Sequence, residues 1–361
     1  MTETTSQVGG RDVAHQLSAL NRYLPLWIGL AMAAGLLLGS AAPGLNEVLD
    51  AVSIGDISLP IALGLLLMMY PVLAKVRYGE LDRVTSDRRM LLSSLVLNWV
   101  VGPALMFTLA WVFLADQPEY RTGLIIVGLA RCIAMVLIWN DLACGDREAA
   151  AVLVAINSLF QIVAFSVLAW FYLELLPQWL GLGSGEQLAV SAWDIAVSVL
   201  VFLGIPLLLG YLTRRVGEAR RGRVWYEDSF LPRIGPLALY GLLFTIVVLF
   251  ALQGETILGE PWDVLLIAVP LLVYFAVMWV GSFALGWRLG LGYPRTATLA
   301  FTAAGNNFEL AIAVSIATFG IASGEALAGT VGPLIEVPAL VGLVYVSLWA
   351  RRRLFATQKA R

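Results

Sequence analysis

The chain has 361 residues, 60% of them hydrophobic and only 13% charged, with a formal net charge of −2. Soluble domains carry about 25% charged residues, so a surface this poor in charge needs lipid rather than water as its solvent. That excludes an ordinary soluble enzyme and gives no basic surface for nucleic acid; the bilayer is the first expected partner.

Residues 1–23 are polar and hold the single histidine, His15. They lack the apolar core and small-residue cleavage site of a signal peptide, so they are expected to stay attached as a cytoplasmic tail. Apolar runs bounded by charged or turn residues then predict ten helical spans, each near the roughly 20 residues a bilayer crossing takes. In the first half these are Leu24–Ala42, Ile57–Ala74, Leu91–Leu114, Thr122–Leu142 and Ala149–Leu175. In the second half they are Ala196–Leu212, Ile234–Leu252, Val264–Leu285, Thr296–Phe319 and Ala326–Leu348. The expected organisation is a first five-helix repeat over 24–176, an extracytoplasmic connection over 177–195, a second repeat over 196–349 and a cytoplasmic tail over 350–361. Little length remains for a soluble catalytic domain.

Charge placement tests the span list independently. Of the 23 Lys and Arg residues, 21 fall in connections on one side, from Arg11 and Arg22 to Arg351, Arg352 and Arg353. The opposite connections hold only Arg121, and Arg131 lies inside a span. Positive charge is retained in the cytoplasm, so both termini are expected there and the number of spans is even. Trp27, Trp111, Trp170, Trp262, Trp287 and Trp349 sit near span ends, as an interfacial belt requires. Cys132 and Cys144 both lie in helical context, so no disulfide framework is expected.

Two halves of five helices enter the membrane with opposite polarity, which is the inverted-repeat plan of many secondary transporters. Pro60-Ile-Ala-Leu-Gly-Leu-Leu-Leu in the second span and Pro236-Leu-Ala-Leu-Tyr-Gly-Leu-Leu in the seventh agree at five of eight positions. That plan puts a binding site near the midplane, where spans four and nine are equivalent.

Those two spans hold the chemistry. Span four carries Gly128-Leu-Ala-Arg131-Cys132, and span nine carries Gly305-Asn306-Asn307-Phe308-Glu309. An arginine or acid at a helix centre costs about 3 kcal/mol, and Gly-Asn-Asn is a poor helix interior because Asn competes for backbone hydrogen bonds. Both runs suit unwound segments lining a cavity. On composition alone Cys132 reads as a small core residue as readily as a ligand. Arg131 could act on its thiol only across a break, since consecutive helix residues do not face each other; it could equally pair with an acid. An unpaired acid at this depth, Glu309, is a natural proton carrier. Glu336, between Pro333 and Pro338 in span ten, is a second. Asn98, Asn157, Ser158 and Gln161 add polarity to spans three and five, where helix-to-helix glue explains them equally well. Cys144, at the cytoplasmic end of span four, reads as incidental.

No Gly-x-x-x-x-Gly-Lys-Ser/Thr phosphate cradle exists, nor a His-Glu-x-x-His or cysteine cluster that would hold a metal. No cofactor is expected, and the driving force is an ion gradient or the substrate's own gradient.

Four segments together resemble the arsenite exporters of the arsenical-resistance-3 (Acr) family, within the superfamily of bile acid/sodium symporters. They are Asn98-Trp-Val-Val-Gly-Pro103, Ala130-Arg-Cys-Ile-Ala-Met-Val-Leu-Ile-Trp-Asn140, Gly305-Asn-Asn-Phe-Glu-Leu-Ala-Ile-Ala313 and Val331-Gly-Pro-Leu-Ile-Glu-Val-Pro338. The likeness runs from Arg22 to about Leu348. It implies an all-α membrane fold of ten helices in two inverted five-helix repeats. Broken helices four and nine would cross in a core domain, beside a panel of spans one, two, six and seven. It also implies export of As(III), with antimonite as a further substrate, in exchange for protons. Cys132 and Glu309 match the family's required cysteine and acid; Arg131, Asn306 and Asn307 would complete the substrate site, and Glu309 and Glu336 would carry protons. As(III) is thiophilic, so soft sulfur suits it, and one thiol rather than three lets a transporter release what it binds. A sodium-coupled organic-anion symporter is the alternative within the superfamily; a polytopic membrane enzyme or sensor is the alternative from another class. The sequence carries no signal of oligomeric state.

Overall fold

The computed structural model describes residues 23–41, 53–54, 57–76, 87–182, 192–321 and 323–355. His15, the N-terminal tail and the last six residues lie outside the described residues. Apart from an antiparallel pair of two-residue strands, β1 (Ser53–Ile54) and β2 (Ile57–Ser58), the regular structure described is helical. In chain order the helices are α1 (Leu24–Ala41), α2 (Leu59–Ala74), α3 (Arg88–Phe113), α4 (Pro118–Leu129), α5 (Met135–Leu142) and α6 (Arg147–Trp179). After them come α7 (Trp193–Arg221), α8 (Arg223–Leu252), the short α9 (Gly254–Gly259), α10 (Pro261–Arg288), α11 (Gly292–Ala304), α12 (Phe308–Phe319) and α13 (Gly324–Leu354). Six of them, α3, α6, α7, α8, α10 and α13, are long and apolar enough to cross a membrane, and α1, α2 and α12 are shorter apolar helices.

The long helices outrun the predicted apolar runs because polar residues cap or extend them. Asp87 accepts from Met90 N–H at 3.2 Å and Asp146 from Ala149 N–H at 3.1 Å, so α3 and α6 begin in charged sequence. Hydropathy stops at such residues; the backbone hydrogen bonding does not.

Four wide helical turns share one cause. Leu97–Val101, Phe171–Leu175, Leu200–Gly204 and Tyr226–Phe230 are π turns, and each ends two residues before a proline: Pro103, Pro177, Pro206 and Pro232. A proline ring clashes with the carbonyl four residues back, and widening the preceding turn relieves the clash.

Two groups of helices result. In one, α8 lies along α1 and α2, and α7 lies along α2. Their approach needs glycine: a Cβ on Gly241 would meet Met68 N at 2.7 Å, and one on Gly35 would meet Val247 O at 2.6 Å. In the other, α13 packs on α4, α10 and α12, while α10 packs on α11 and α3 packs on α4. The N-terminal part of α7 touches α6 and α12, joining the groups. Outward faces are apolar, with Leu37, Val112, Val163 and Tyr345 each about 70% exposed. Arg131, Asn140, Gln161, Asn306 and Glu336 point inward and are buried.

Candidate functional site

The fourth and ninth predicted spans are each interrupted, at 130–134 and at 305–307. Ala130 (φ −82°, ψ 115°) and Gly305 (φ −73°, ψ 140°) are both extended. The two extended pieces meet as an antiparallel bridge that pairs Arg131 with Asn306. Cys132 N–H donates to Gly305 O at 3.3 Å and Asn307 N–H to Ala130 O at 3.0 Å. These bonds flank Arg131 and Asn306, which therefore form the pair whose own N–H groups point outward from the ladder.

The outward N–H groups are taken up by side chains from neighbouring helices. Gln161 Oε1, on α6, accepts from Arg131 N–H at 2.5 Å. Glu336 Oε1, on α13, accepts from Asn306 N–H at 3.4 Å. Gln161 thus does more than join helices. It satisfies a backbone donor that the interruption would leave orphaned.

Side chains directly opposite in an antiparallel pair leave the same face, so the crossing has two faces. Arg131 and Asn306 occupy one, and both serve the last turn of α4. Asn306 Nδ2 donates to Val127 O at 2.7 Å, and Arg131 Nη2 donates to Gly128 O. Cations and donors belong at a helix C-terminus, where carbonyls lack partners. Arg131 Nη1 also donates to Tyr274 OH at 2.9 Å, and no carboxylate pairs with it among the described residues. The Arg131–acid pair that the sequence left open is therefore not formed among the described residues. The charge is held by carbonyl dipoles and a tyrosine instead.

Cys132 and Asn307 occupy the other face, at the N-termini of α5 and α12. Cys132 Sγ accepts from Val136 N–H at 3.3 Å, and Asn307 Oδ1 accepts from Leu310 N–H at 3.1 Å. A Cβ on Gly305 would sit 3.1 Å from Cys132 Cβ, so glycine is what lets the strands close here. Glu309 is half-buried in the first turn of α12. Cys132, Glu309 and Glu336 are all within electrostatic range of one another. Two helix N-termini thus converge on a thiol and a carboxyl, and positive helix ends favour negative or electron-rich groups. Asn306 Oδ1 and Asn307 Nδ2 are buried without a hydrogen-bond partner, which leaves polar capacity unused at the crossing.

Of the supporting polar residues, Gln161 is the one whose hydrogen bond reaches the crossing. Asn157 Oδ1 accepts from Trp99 Nε1 at 3.3 Å, Asn98 Nδ2 donates to Ser94 O at 2.8 Å, and Ser158 Oγ donates to Val154 O at 2.8 Å. These join helices or satisfy their own. Tyr274 escaped sequence reasoning because a tyrosine in an apolar run resembles any membrane aromatic; its signal was a hydroxyl far from both span ends. Phe308 was likewise passed over, although its ring lies on Gly332 of α13, a position where no side chain fits.

A chain that turns apolar helix faces outward and gathers its buried polar groups on two interrupted, mutually bridged helices is a multi-pass membrane protein of transporter type. Comparison with known proteins narrows the class. Residues 62–260 match the Sodium Bile acid symporter family. The arsenical-resistance protein Acr3 of Corynebacterium glutamicum is 60% identical over 351 residues, covering 97% of this chain and 95% of that one. The Acr3 of Alkaliphilus metalliredigens is 31% identical over 94% of this chain and 96% of its own length. An uncharacterized transporter of Synechocystis is 35% identical over 91% and 88%. The chain belongs to the Acr3 arsenical-resistance proteins of the sodium bile acid symporter family.

Proposed function

We propose that this protein exports arsenite from the cytoplasm in exchange for protons, through ten spans arranged as two inverted five-helix repeats with both termini cytoplasmic. The observation that carries the reading is the crossing face on which Cys132, Glu309 and two helix N-termini converge, in a chain whose relatives are named for arsenical resistance. The repeat is supported by role as well as by order. The interrupted spans are the fourth of each five, and the side chain that holds each outward N–H comes from the fifth, Gln161 and Glu336. The panel is supported by the packing of α1, α2, α7 and α8 on one another.

In this reading arsenous acid enters from the cytoplasmic side and meets Cys132 Sγ. Sulfur is a weak acceptor, so its bond from Val136 N–H is easily given up to a thiophilic substrate. Ionised Glu309 accepts hydrogen bonds from the substrate's hydroxyls. A proton arriving from outside neutralises it, removes those bonds and releases the substrate outward. Asn307, on the Cys132 face, supplies an amide contact at the break, while Asn306, on the far face, donates to Val127 O and holds the break together. Arg131, engaged on the far face, positions the crossing rather than touching substrate. Glu336, anchored to Asn306 N–H, is the second carboxyl on the proton route. Antimonite shares the soft-metalloid chemistry and is expected to be carried as well.

The side-chain amide oxygen of Asn306, buried and unpartnered, is what a sodium ion would take, and this favours a sodium-coupled anion carrier as the second reading. Labelled arsenite accumulation in everted vesicles separates the two. Accumulation driven by a proton gradient and abolished by an uncoupler, with sodium present or absent, is the expected result. Sodium-driven uptake of an organic anion with no arsenite accumulation would overturn it.

A further inference from the structure

The site described uses Glu309 and Glu336 and leaves a third buried acid unexplained. Glu325, in the first turn of α13, is 2% exposed, and its Oε1 is buried without a hydrogen-bond partner. The carboxyl is also hydrogen-bonded to Ser323 and to its own N–H, so it is Oε1 alone that is left unpaired, at a cost of about 1–3 kcal/mol. At a glycine, α4 is brought onto Glu325. A Cβ on Gly123 would meet Glu325 Cα and O at 2.7 Å.

The carboxyl that faces it is also acidic. Glu119, in the first turn of α4, is within electrostatic range of Glu325, and its Oε2 accepts from Gly324 N–H at 3.1 Å. Among the described residues the surrounding groups offer no countercharge. Tyr120 donates to Asp263 Oδ2 at 2.6 Å, and with Glu260 these keep the α10 side acidic. Arg121 is turned away, donating to Ala115 O at 2.6 Å and lying 3.8 Å from the Trp111 ring centroid. α1 and α12 also pack on α13, and neither adds a cation. The two carboxyls thus stand at one helix junction, where Glu119 holds the N–H next to Glu325 and no described cation lies between them.

Position supplies the direction. Glu325 and Glu336 are both on α13, about 16 Å apart along the axis at 1.5 Å per residue and on nearly the same face at 3.6 residues per turn. Between them on that face lie Gly329 and Gly332, where Ile312 and Phe308 of α12 rest. The space along the stripe is filled by a neighbouring helix rather than by α13 itself, so a shift of α12 opens it.

We infer that Glu325 and Glu119 form the external proton-loading station of the transport cycle: the pair takes a proton from the extracytoplasmic solution and passes it along α13 toward Glu336 and Glu309. No bond other than those to the proton changes. The inference rests on the proton-exchange reading and its orientation, and the test separates the two.

Two fluxes are compared in everted vesicles: arsenite accumulation driven by a lumen-acid gradient, and counterflow of labelled against unlabelled arsenite at equal pH, which needs no net proton movement. Glu325→Gln is expected to lose the driven accumulation and keep the counterflow. Glu325→Asp, which keeps a titratable group, is expected to retain driven flux with a displaced pH profile, and Glu119→Gln to displace it too. An unchanged pH profile of driven flux in Glu325→Gln overturns the inference, as does equal loss of both fluxes in the Gln and Asp variants, which assigns Glu325 to folding alone. If the wild type itself shows no proton-driven accumulation, the exchange reading fails first.

Discussion

The two interruptions share a geometry and differ in chemistry. At each, an extended residue leaves a half-helix, bridges to its counterpart and starts a second half-helix with a side-chain acceptor. The acceptor on α12 is the amide oxygen of Asn307, a strong N-cap; the acceptor on α5 is the sulfur of Cys132, a weak one. The outward N–H is held by neutral Gln161 at the first break and by the carboxyl of Glu336 at the second. Each break thus pairs one group that only needs to hold the backbone with one that has chemistry to spare. In the proposed mechanism the soft ligand sits on the first half and the acids on the second, so binding and coupling would meet only where the two breaks cross.

The largest effect is expected where the comparison is most lopsided. Cys132→Ser should abolish arsenite transport in vesicles while leaving expression and thermal stability at wild-type levels. A serine hydroxyl caps Val136 N–H at least as well as the thiol but offers As(III) no soft ligand. Full transport by this variant would remove sulfur from the mechanism and reduce Cys132 to a cap like Asn307.

Glu309→Gln comes next. It keeps the shape of the first turn of α12 and fixes the neutral form, which in the proposed cycle lets the substrate go, so proton-driven accumulation should be lost and the residual arsenite flux should no longer depend on pH. Glu309→Asp should keep part of the driven flux. Wild-type accumulation in the Gln variant would make the acid structural and shift the role to Glu336.

The backbone anchors give a smaller, structural effect. Gln161→Leu leaves Arg131 N–H buried and unpaired, which costs about 1–3 kcal/mol, read as a lowered unfolding temperature in detergent. Glu336→Gln retains an acceptor for Asn306 N–H and should unfold at the wild-type temperature. Equal destabilisation by both would show that the charge of Glu336, not its hydrogen bond, holds the second break.

Much of this asymmetry was readable from residue types. Gly305-Asn306-Asn307 cannot continue a membrane helix comfortably, and Arg131 is costly at mid-span, so both interruptions announce themselves. The roles of Cys132 and Arg131 were harder to separate. As helix neighbours they would point about 100° apart; in the extended bridge they point to opposite faces, and only the pairing with Asn306 and Gly305 reveals it. Gln161 looked like glue because an amide in an apolar helix has many uses, and its partner is a backbone N–H freed 30 residues away. Glu325 gave no signal in the sequence, because burial of a helix-start acid depends on where α4 arrives. The helix ends were misplaced for a simpler reason: apolarity marks the lipid, whereas caps such as Asp87 and Asp146 mark the helix.

The smallest effect should come from the second cysteine, which closes the half-helix that Cys132 opens. Cys144 follows the C-cap of α5 with φ +56°, a left-handed conformation that glycine adopts freely and other residues do not. Its N–H donates to Asp141 O at 3.0 Å, and Gly145 N–H donates to Asn140 O at 2.8 Å, so the backbone rather than the sulfur ends the helix. Cys144→Ser should therefore be silent in transport. Cys144→Gly removes the steric cost of the left-handed turn, about 1–2 kcal/mol, and gives back about 0.5–1 kcal/mol in backbone entropy. A net gain of about 0–1.5 kcal/mol is expected from that difference, seen as at most a small rise in unfolding temperature with arsenite flux unchanged. A loss of transport in either variant would mean that the far end of α5 also touches substrate, and the division of labour between the two ends of this half-helix would have to be redrawn.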